Sequence, residues 1–292
     1  MVDFQVVSNT NIIANESFFR NEKITVDTVA GIATKYDIIK QLKYFANIAA
    51  IPVTLELGER IKIEDNGAEY FVQNTTVAGY NSGAADGVAV IDLGGSKYAV
   101  LQTDVLTIEM LGGNGNGIID NQSALQKYFD FPNASNLTLQ SSANYYVAST
   151  VTITAKNKKI TGNGATISFP SSVGASNGFL IEPNSNNFHF DNIKFFAPAD
   201  QTYYSGLSPS SNVRFILTGS SDYENIKNIK ITDCTFSNAA NGIKINYVEG
   251  VTIERDTFIE CVTSMLANEP LGMSVNGVYS VRNTNIETDD QT

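Results

Sequence analysis

The side chains able to do chemistry in this 292-residue sequence are few. Its one histidine, His189, stands in FHF between two phenylalanines. On a strand it points away from them, where general-base work is open to it. Asp191, Glu254, Asp256 and Glu260 share that outward setting. Glycoside cleavage asks for two carboxylates roughly 5–9 Å apart, and strands about 4.8 Å apart can bring such a pair together. With 17% of residues charged, acids at solvated positions are expected in any case. No pair is singled out, and the catalytic residues stay unassigned. A second cluster, Tyr203, Tyr204, Asp222, Tyr223 and Glu224, lies in the insertion 198–227. Aromatic faces beside carboxylates suit sugar stacking and hydroxyl recognition. An ordinary surface loop or a subunit contact would use the same residues.

The stretch GGNGNGIIDNQSALQKYF, residues 112–129, invites three readings. It is no phosphate loop, because no Lys-Ser/Thr follows, and its glycines miss the dinucleotide spacing. A calcium nonapeptide works in tandem, and Gly117 stands where its aspartate belongs. The structural reading fits better. Asp120 is placed to cap a short helix with Leu125, Tyr128 and Phe129 on one face, laid across the strand NLTLQ (136–140). Cys234 and Cys261 lack metal-ligand spacing and read as buried free thiols. No metal and no cofactor is expected.

Composition narrows the partners. Hydrophobic content of 42% is that of a globular chain, and abundant Asn, Thr, Ser, Gly, Val and Ile favour strands and turns. The net charge of −11 opposes nucleic acid and anionic membrane surfaces. No segment reaches the roughly 18 apolar residues of a membrane span, so no membrane insertion is expected. The N-terminus lacks the pattern of a secretory signal, which implies synthesis in a cytosol. The N-x-S/T triplets are then chance.

The elements that must position these residues fall in four segments. Residues 1–50 carry an amphipathic helix from Thr28 to about Ala50, with Val29, Ile32, Tyr36, Ile39, Leu42 and Phe45 at 3–4 spacing. It packs on its own domain or forms a trimeric coiled coil. Residues 51–110 read as a small β-rich module whose strands include VTLELGERIKI, AEYFV, VAVIDL and KYAVLQ. Residues 111–135 hold the Gly-rich turn and capping helix. From residue 136 the sequence repeats: FHFDNIKF (188–195), IKITDCTF (229–236), VTIERDTF (251–258) and YSVRNTNI (279–286), with a weaker copy at KKITGNGA (158–165). Apolar residues hold the first, third and eighth places, and a second strand recurs between copies. Short strands at about 22 residues per repeat predict a parallel β-helix. Phe195, Phe236, Phe258 and Ile286 are expected to stack inside. Asn192, Asp233, Arg255 and Asn283 fall at a turn where an amide ladder is expected, broken by Arg255.

GGNGNGIIDNQSALQ resembles a worn form of the GDGxTDDTxAIQ motif that opens the pectate-lyase-like right-handed β-helix of bacteriophage tail spikes. DNGAEYFV (65–72) and ADGVAVIDLGGSKYAVLQ (85–102) resemble the elements upstream of that motif. Asn114 and Asn116 replace the usual Lys-Gly-Asp zone, and only Asp120 remains of the acidic pair, a structural feature in that family. The resemblance implies a mostly β protein: a small α+β N-terminal module, then a right-handed β-helix, assembled as a homotrimer in the virion tail. Its N-terminal segment would meet a tail or baseplate protein, and inserted loops would meet host capsule or lipopolysaccharide glycan. About five coils fit before the chain stops without a recognisable cap, so depolymerase activity would lie beyond residue 292. The alternatives are a non-enzymatic adaptor linking another fibre to the particle, or a free polysaccharide lyase or hydrolase.

Overall fold

The computed structural model describes residues 5–8, 11–13, 24–27, 32–36, 42–103, 105–170, 177–197, 214–218, 226–238, 241–261, 263–268, 271–281 and 285–289. Two compact units emerge, residues 1–75 with 92–100 and residues 76–91 with 101–292.

In the first unit the described residues of the segment expected as a helix, 32–36 and 42–50, hold two strands and a short 3-10 turn. Ile24–Asp27 pairs antiparallel with Ile32–Tyr36, and Lys43–Phe45 runs parallel to Arg60–Ile63. Segments rich in Ile, Val and Thr prefer the pleated conformation, and here that preference overrides a 3–4 spacing. Arg60–Ile63, Glu69–Gln73, Val90–Gly94 and Lys97–Leu101 complete a five-stranded sheet with Lys43–Phe45. They overlap the four expected strand segments, with Gln73 and Gly94 one residue beyond and the first strand confined to the end of its segment. Ile61, Ile63, Tyr70 and Val72 alternate inward and are buried, while Lys62 pairs with Glu69 on the outer side at 3.0 Å.

The second unit is a parallel β-helix. Its sheet A stacks Val105–Thr107, Asn136–Thr138, Lys156–Thr161, Ser185–Asp191, Ile226–Thr232, Glu249–Glu254 and Leu271–Asn276. Sheet B stacks Asn116–Asp120, Asn144–Tyr146, Thr166–Ser168, Lys194–Phe196, Thr235–Ser237, Thr257–Ile259 and Tyr279–Val281. Sheet C stacks Val151–Ile153, Asn177–Ile181, Arg214–Thr218, Asn241–Asn246, Thr263–Asn268 and Asn285–Asp289. Neighbours within each are parallel, and Ile229, Val251 and Met273 share a register, 22 residues from one coil to the next. Phe195, Phe236 and Phe258 stack with ring centroids 4.9 Å apart, at interplanar angles of 8° and 11°. That spacing is the strand-to-strand distance, so each coil delivers one ring to the column.

The last copy is read out of phase in the sequence. Met273 and Val275 follow Val251 and Ile253, and Ser280 pairs with Phe258. Ile286 lies in the sheet C strand Asn285–Asp289, so it does not extend the ring column. The amide ladder also lies elsewhere. Asn192, Asp233 and Arg255 form a column of left-handed turn residues between sheets A and B, with φ of 52°, 56° and 57°. The hydrogen-bonded ladder runs ahead of it. Asn187 Nδ2 donates to Asn157 Oδ1 at 2.6 Å, and Asn228 Nδ2 donates to Asn187 Oδ1 at 2.9 Å. All three residues are left-handed, a conformation asparagine tolerates better than most.

Helix α1 (Gln122–Asp130) buries Ala124, Leu125, Tyr128 and Phe129. Asp120 Oδ1 accepts from the N–H of Gln122 at 2.9 Å and from that of Ala148 at 3.0 Å, tying the helix start to the next coil. The Gly-rich turn closes around Asn121, which is fully buried. Its Oδ1 accepts from Asn114 N–H at 2.7 Å, and its Nδ2 lies 2.8–3.2 Å from three carbonyls, those of Asn114, Ile119 and Tyr146. Gly113 packs so tightly that a Cβ there would lie 2.5 Å from the Asn121 Oδ1. At the other end of the helix Lys158, 4% exposed, donates to the carbonyls of Tyr128, Phe131 and Ala134 at 3.0, 2.6 and 2.5 Å. A buried ammonium thus satisfies carbonyls that a helix end leaves orphaned.

Candidate functional site

Alternation along sheet A turns Phe188 and Phe190 inward and His189 and Asp191 outward. Two registered rows cross the coils on that outer face. One runs Lys159, His189, Lys230 and Thr252; the other runs Thr161, Asp191, Thr232 and Glu254. The rows are bonded to each other across coils. Thr232 Oγ1 donates to Asp191 Oδ1 at 2.8 Å and lies 2.8 Å from His189 Nε2, while Lys159 Nζ holds Asp191 Oδ2 at 3.0 Å. The Thr232 hydrogen is spent on the carboxylate, so its oxygen accepts from His189 Nε2–H. This hydrogen-bond logic assigns the tautomer and leaves Nδ1 an acceptor. One turn further, Arg255 grips both oxygens of Asp233 at 2.7 Å, and Lys227 pairs with Glu249 at 2.6 Å.

The electrostatics follow from these contacts. Partial burial, reinforced by the charge of Lys159, lowers the His189 pKa and favours the neutral ring. Burial works against the Asp191 carboxylate, yet the hydrogen bonds from Lys159 and Thr232 hold its pKa below the usual value. Arg255 does the same for Asp233. The cations Lys159, Lys227, Lys230 and Arg255 stand among the carboxylates Asp191, Asp233, Glu249 and Glu254, so the face is close to electroneutral on an acidic chain.

This arrangement suits binding better than cleavage. A general acid needs a raised pKa and access to substrate. Asp191 and Asp233 are ion-paired and ionised, and Thr232 is 2% exposed, which denies a nucleophile its approach. Asp256 has the raised pKa and lacks the access. Expected outward, it is fully buried, because the left-handed turn at Arg255 restarts the in–out alternation. Its Oδ1 accepts from Cys234 N–H at 2.6 Å, and its Oδ2 has no partner among the described residues. Burial, helped by the negative charge of Asp233, pushes its pKa up to about 7. Glu254 and Glu260 remain partly exposed. Cys234 and Cys261 are buried and free.

Tyr203, Tyr204, Asp222, Tyr223 and Glu224 lie outside the described residues. In the chain they sit just before the sheet C strand Arg214–Thr218 and the sheet A strand Ile226–Thr232. Among the described residues no cluster of three or more His, Cys, Asp or Glu side chains is placed to hold a metal, and no helix is long and apolar enough to cross a membrane. The His189–Thr232–Asp191 contact was missed in sequence because its partners lie 41–43 residues apart. The signal was there: Asp191 and Thr232 hold the same place in their copies of the repeat.

No protein-family model matches the sequence, and no curated protein matches it. Solved structures do. Full-length tailspike protein 2 of an Escherichia coli bacteriophage superposes with a TM-score of 0.50 at 15% identity, over 97% of this chain and 42% of that one. The enzymatically active domain of bacteriophage CBA120 tailspike protein 2 gives 0.47 at 13%, over 86% and 53%. A glycosyl hydrolase homologue from Parabacteroides merdae gives 0.39 at 12%, over 64% and 100%. The chain thus spans less than half the length of the full-length tailspike it matches. What the first of these alignments shares with the three stacked sheets is the fold: this chain is built as the right-handed parallel β-helix found in phage tailspikes.

Proposed function

We propose that this chain is a phage tail-spike component, a homotrimer whose N-terminal segment meets the virion tail or baseplate and whose β-helix recognises host-surface polysaccharide. The observation that carries the reading is the outer face of sheet A, where His189, Asp191, Lys159 and Lys230, tied together by the buried Thr232, present fixed donors and acceptors across consecutive coils. Glycan hydroxyls exchange readily with such groups, and an electroneutral strip tolerates neutral and acidic sugars alike. The strip has no aromatic of its own. The insertion supplies them, with Tyr203, Tyr204 and Tyr223 as stacking faces and Asp222 and Glu224 as hydroxyl acceptors. Binding without cleavage is the activity assigned to this segment.

The test is an array of immobilised bacterial capsule and lipopolysaccharide polysaccharides, probed with the full chain and with Tyr203→Ala/Tyr204→Ala and Tyr223→Ala variants. Retention on at least one glycan is expected, weakened about tenfold by loss of a stacked ring. Sedimentation should give three chains per particle. Failure to retain any glycan, or retention unchanged in every variant, refutes the reading. Tight capture of another tail protein in place of glycan would favour the adaptor.

A further inference from the structure

A cleft of about 500 Å³ opens beside the C-terminal end of α1, lined in part by Asn81, Ser82, Asp130, Pro132, Thr154 and Lys156. A smaller hollow of about 170 Å³ shares Asn81 and Asp130 with this groove. Sites for small ligands typically run about 300–1,000 Å³.

One wall is strained and clamped. Asn81, Ser82 and Gly83 are consecutively left-handed, with φ of 44°, 53° and 80°. Such residues cost on the order of 1–3 kcal/mol each when not glycine and persist where surrounding structure holds them. Here Tyr80 does the holding. Its ring meets Phe131 edge-on at 5.2 Å, and its hydroxyl donates to Asp86 Oδ2 at 2.8 Å. Asp86 in turn accepts from the N–H groups of Val88 and Val90 and pairs with Lys127 at 3.3 Å. The rim is therefore rigid while Asn81 and Ser82 remain exposed.

The opposite wall offers unspent groups. Lys156 is exposed and makes no ion pair among the described residues. One Asp130 oxygen takes the Gln126 amide at 3.0 Å, and the other makes no hydrogen bond among the described residues. Partial burial raises the Asp130 carboxyl against the pull of Gln126 and Lys158, while its side chain stays exposed to the groove. Lys158 lies beneath, spent on its three carbonyls. Pro132 gives the groove one exposed apolar side chain, with Phe129 buried beneath.

We infer that this groove is a saccharide-binding site for one or two neutral sugar units, separate from the outer face of sheet A. A carboxylate oxygen for a pair of hydroxyls, an ammonium as donor, two side-chain hydroxyls and Pro132 for the C–H face of the ring meet a hexose group by group, while the Asn81 amide is held by the carbonyls of Ala84 and Ala85. Asp130 and Lys156 both line the groove, and one charge of each sign favours a neutral sugar over an anionic one. The inference goes beyond polysaccharide recognition and stands on the groove alone.

The test is saturation-transfer NMR on the full chain with glucose, galactose and N-acetylglucosamine, followed by titration. Transfer to at least one sugar is expected. Asp130→Asn and Lys156→Ala alter exposed side chains, leave the melting temperature in place, and should each weaken the sugar about tenfold. Tyr203→Ala/Tyr204→Ala should leave it unchanged, which separates this site from the polysaccharide reading. Absence of transfer from all three sugars, or transfer that survives the double variant Asp130→Asn/Lys156→Ala, overturns the assignment. So does a signal lost in the tyrosine variant.

Discussion

Asp256→Asn is the substitution whose outcome the structure fixes most tightly. Asp256 stands in a buried column with Ile193 and Cys234, each the residue before a registered sheet B strand. It is the one ionisable carboxyl there, with Oδ1 on Cys234 N–H and Oδ2 facing no donor among the described residues. Folding raises its pKa from 3.8 to about 7. The folded state therefore binds more protons than the unfolded state between those values. Stability is greatest below about 4 and is lost as pH rises through that window, at about 1.4 kcal/mol per unit. The loss sums to on the order of 4 kcal/mol by neutral pH. An asparagine keeps the acceptor for Cys234 N–H and removes the ionisation, at the expense of an unsatisfied buried NH₂ worth about 1–3 kcal/mol.

The net expectation at pH 8 is a gain of roughly 1–3 kcal/mol, or about 3–10 °C in melting temperature for a unit of this size. At pH 4 the carboxyl is already neutral, and the asparagine gains nothing. Thermal melts of both proteins from pH 4 to pH 8 measure the difference, which cancels every other titrating group. A variant-minus-parent difference that climbs through pH 4–7 and then flattens supports the reasoning. A difference that is flat with pH refutes it, because the carboxylate would then be solvated or paired in the folded state.

Lys158→Met should lower stability by about 2–4 kcal/mol, since it strips donors from three carbonyls while preserving most of the packed volume. Equal melting temperatures for parent and variant would mean that those carbonyls find water. Gly250→Ala and Gly272→Ala form a matched pair. Both positions are left-handed, with φ of 76° and 70°, but a Cβ at 250 lies 2.9 Å from Asn228 Oδ1 and one at 272 meets nothing within 4 Å. Both should cost about 1 kcal/mol for the conformation. Gly250→Ala should cost measurably more because it also strikes the end of the asparagine ladder. Equal melting temperatures for the two variants would remove the ladder from the account.

The β-helix was legible because its core speaks one residue per coil: the rings at 195, 236 and 258 are visible in the sequence as an eighth-place column, and they stack as read. The capping helix was legible for a similar reason, since Leu125, Tyr128 and Phe129 share one face of a short segment. What stayed hidden lies at corners. Parity counted from Ile253 to Asp256 passes through a left-handed turn at Arg255, and the count fails there because the turn changes which side of the wall the next residue faces. Read in the correct phase, with Met273 after Val251, the sixth places are Ile193, Cys234, Asp256 and Val278. The anomaly is then plain: a carboxyl stands in an apolar column. The ladder had a comparable signal, since Asn157, Asn187 and Asn228 each precede the first inward residue of a coil, with glycine taking the place at 250 and 272. Asparagine and glycine are the residues that accept a positive φ most readily.

The N-terminal segment was misread for a different physical reason. Apolar residues at 3–4 spacing satisfy a helix and, over short stretches, also satisfy strands joined by turns. Periodicity cannot arbitrate between them there, and side-chain branching does. Ile24, Thr25 and Val26, then Ile32 and Thr34, should have outweighed the spacing. Chain connectivity also bears on function. Residues of sheet A meet across 41–43 positions of sequence because the insertion 198–227 separates their coils. The parallel register of sheet A brings His189 and Asp191 of one coil against Lys230 and Thr232 of the next, and in the chain the insertion that carries the tyrosines runs between those two coils. If the tyrosines bind glycan, Lys230→Ala on the strip should weaken the same glycan. Weakening confined to the tyrosine variants would mean that the loop acts alone and that the cross-coil cluster serves only to hold the coils together.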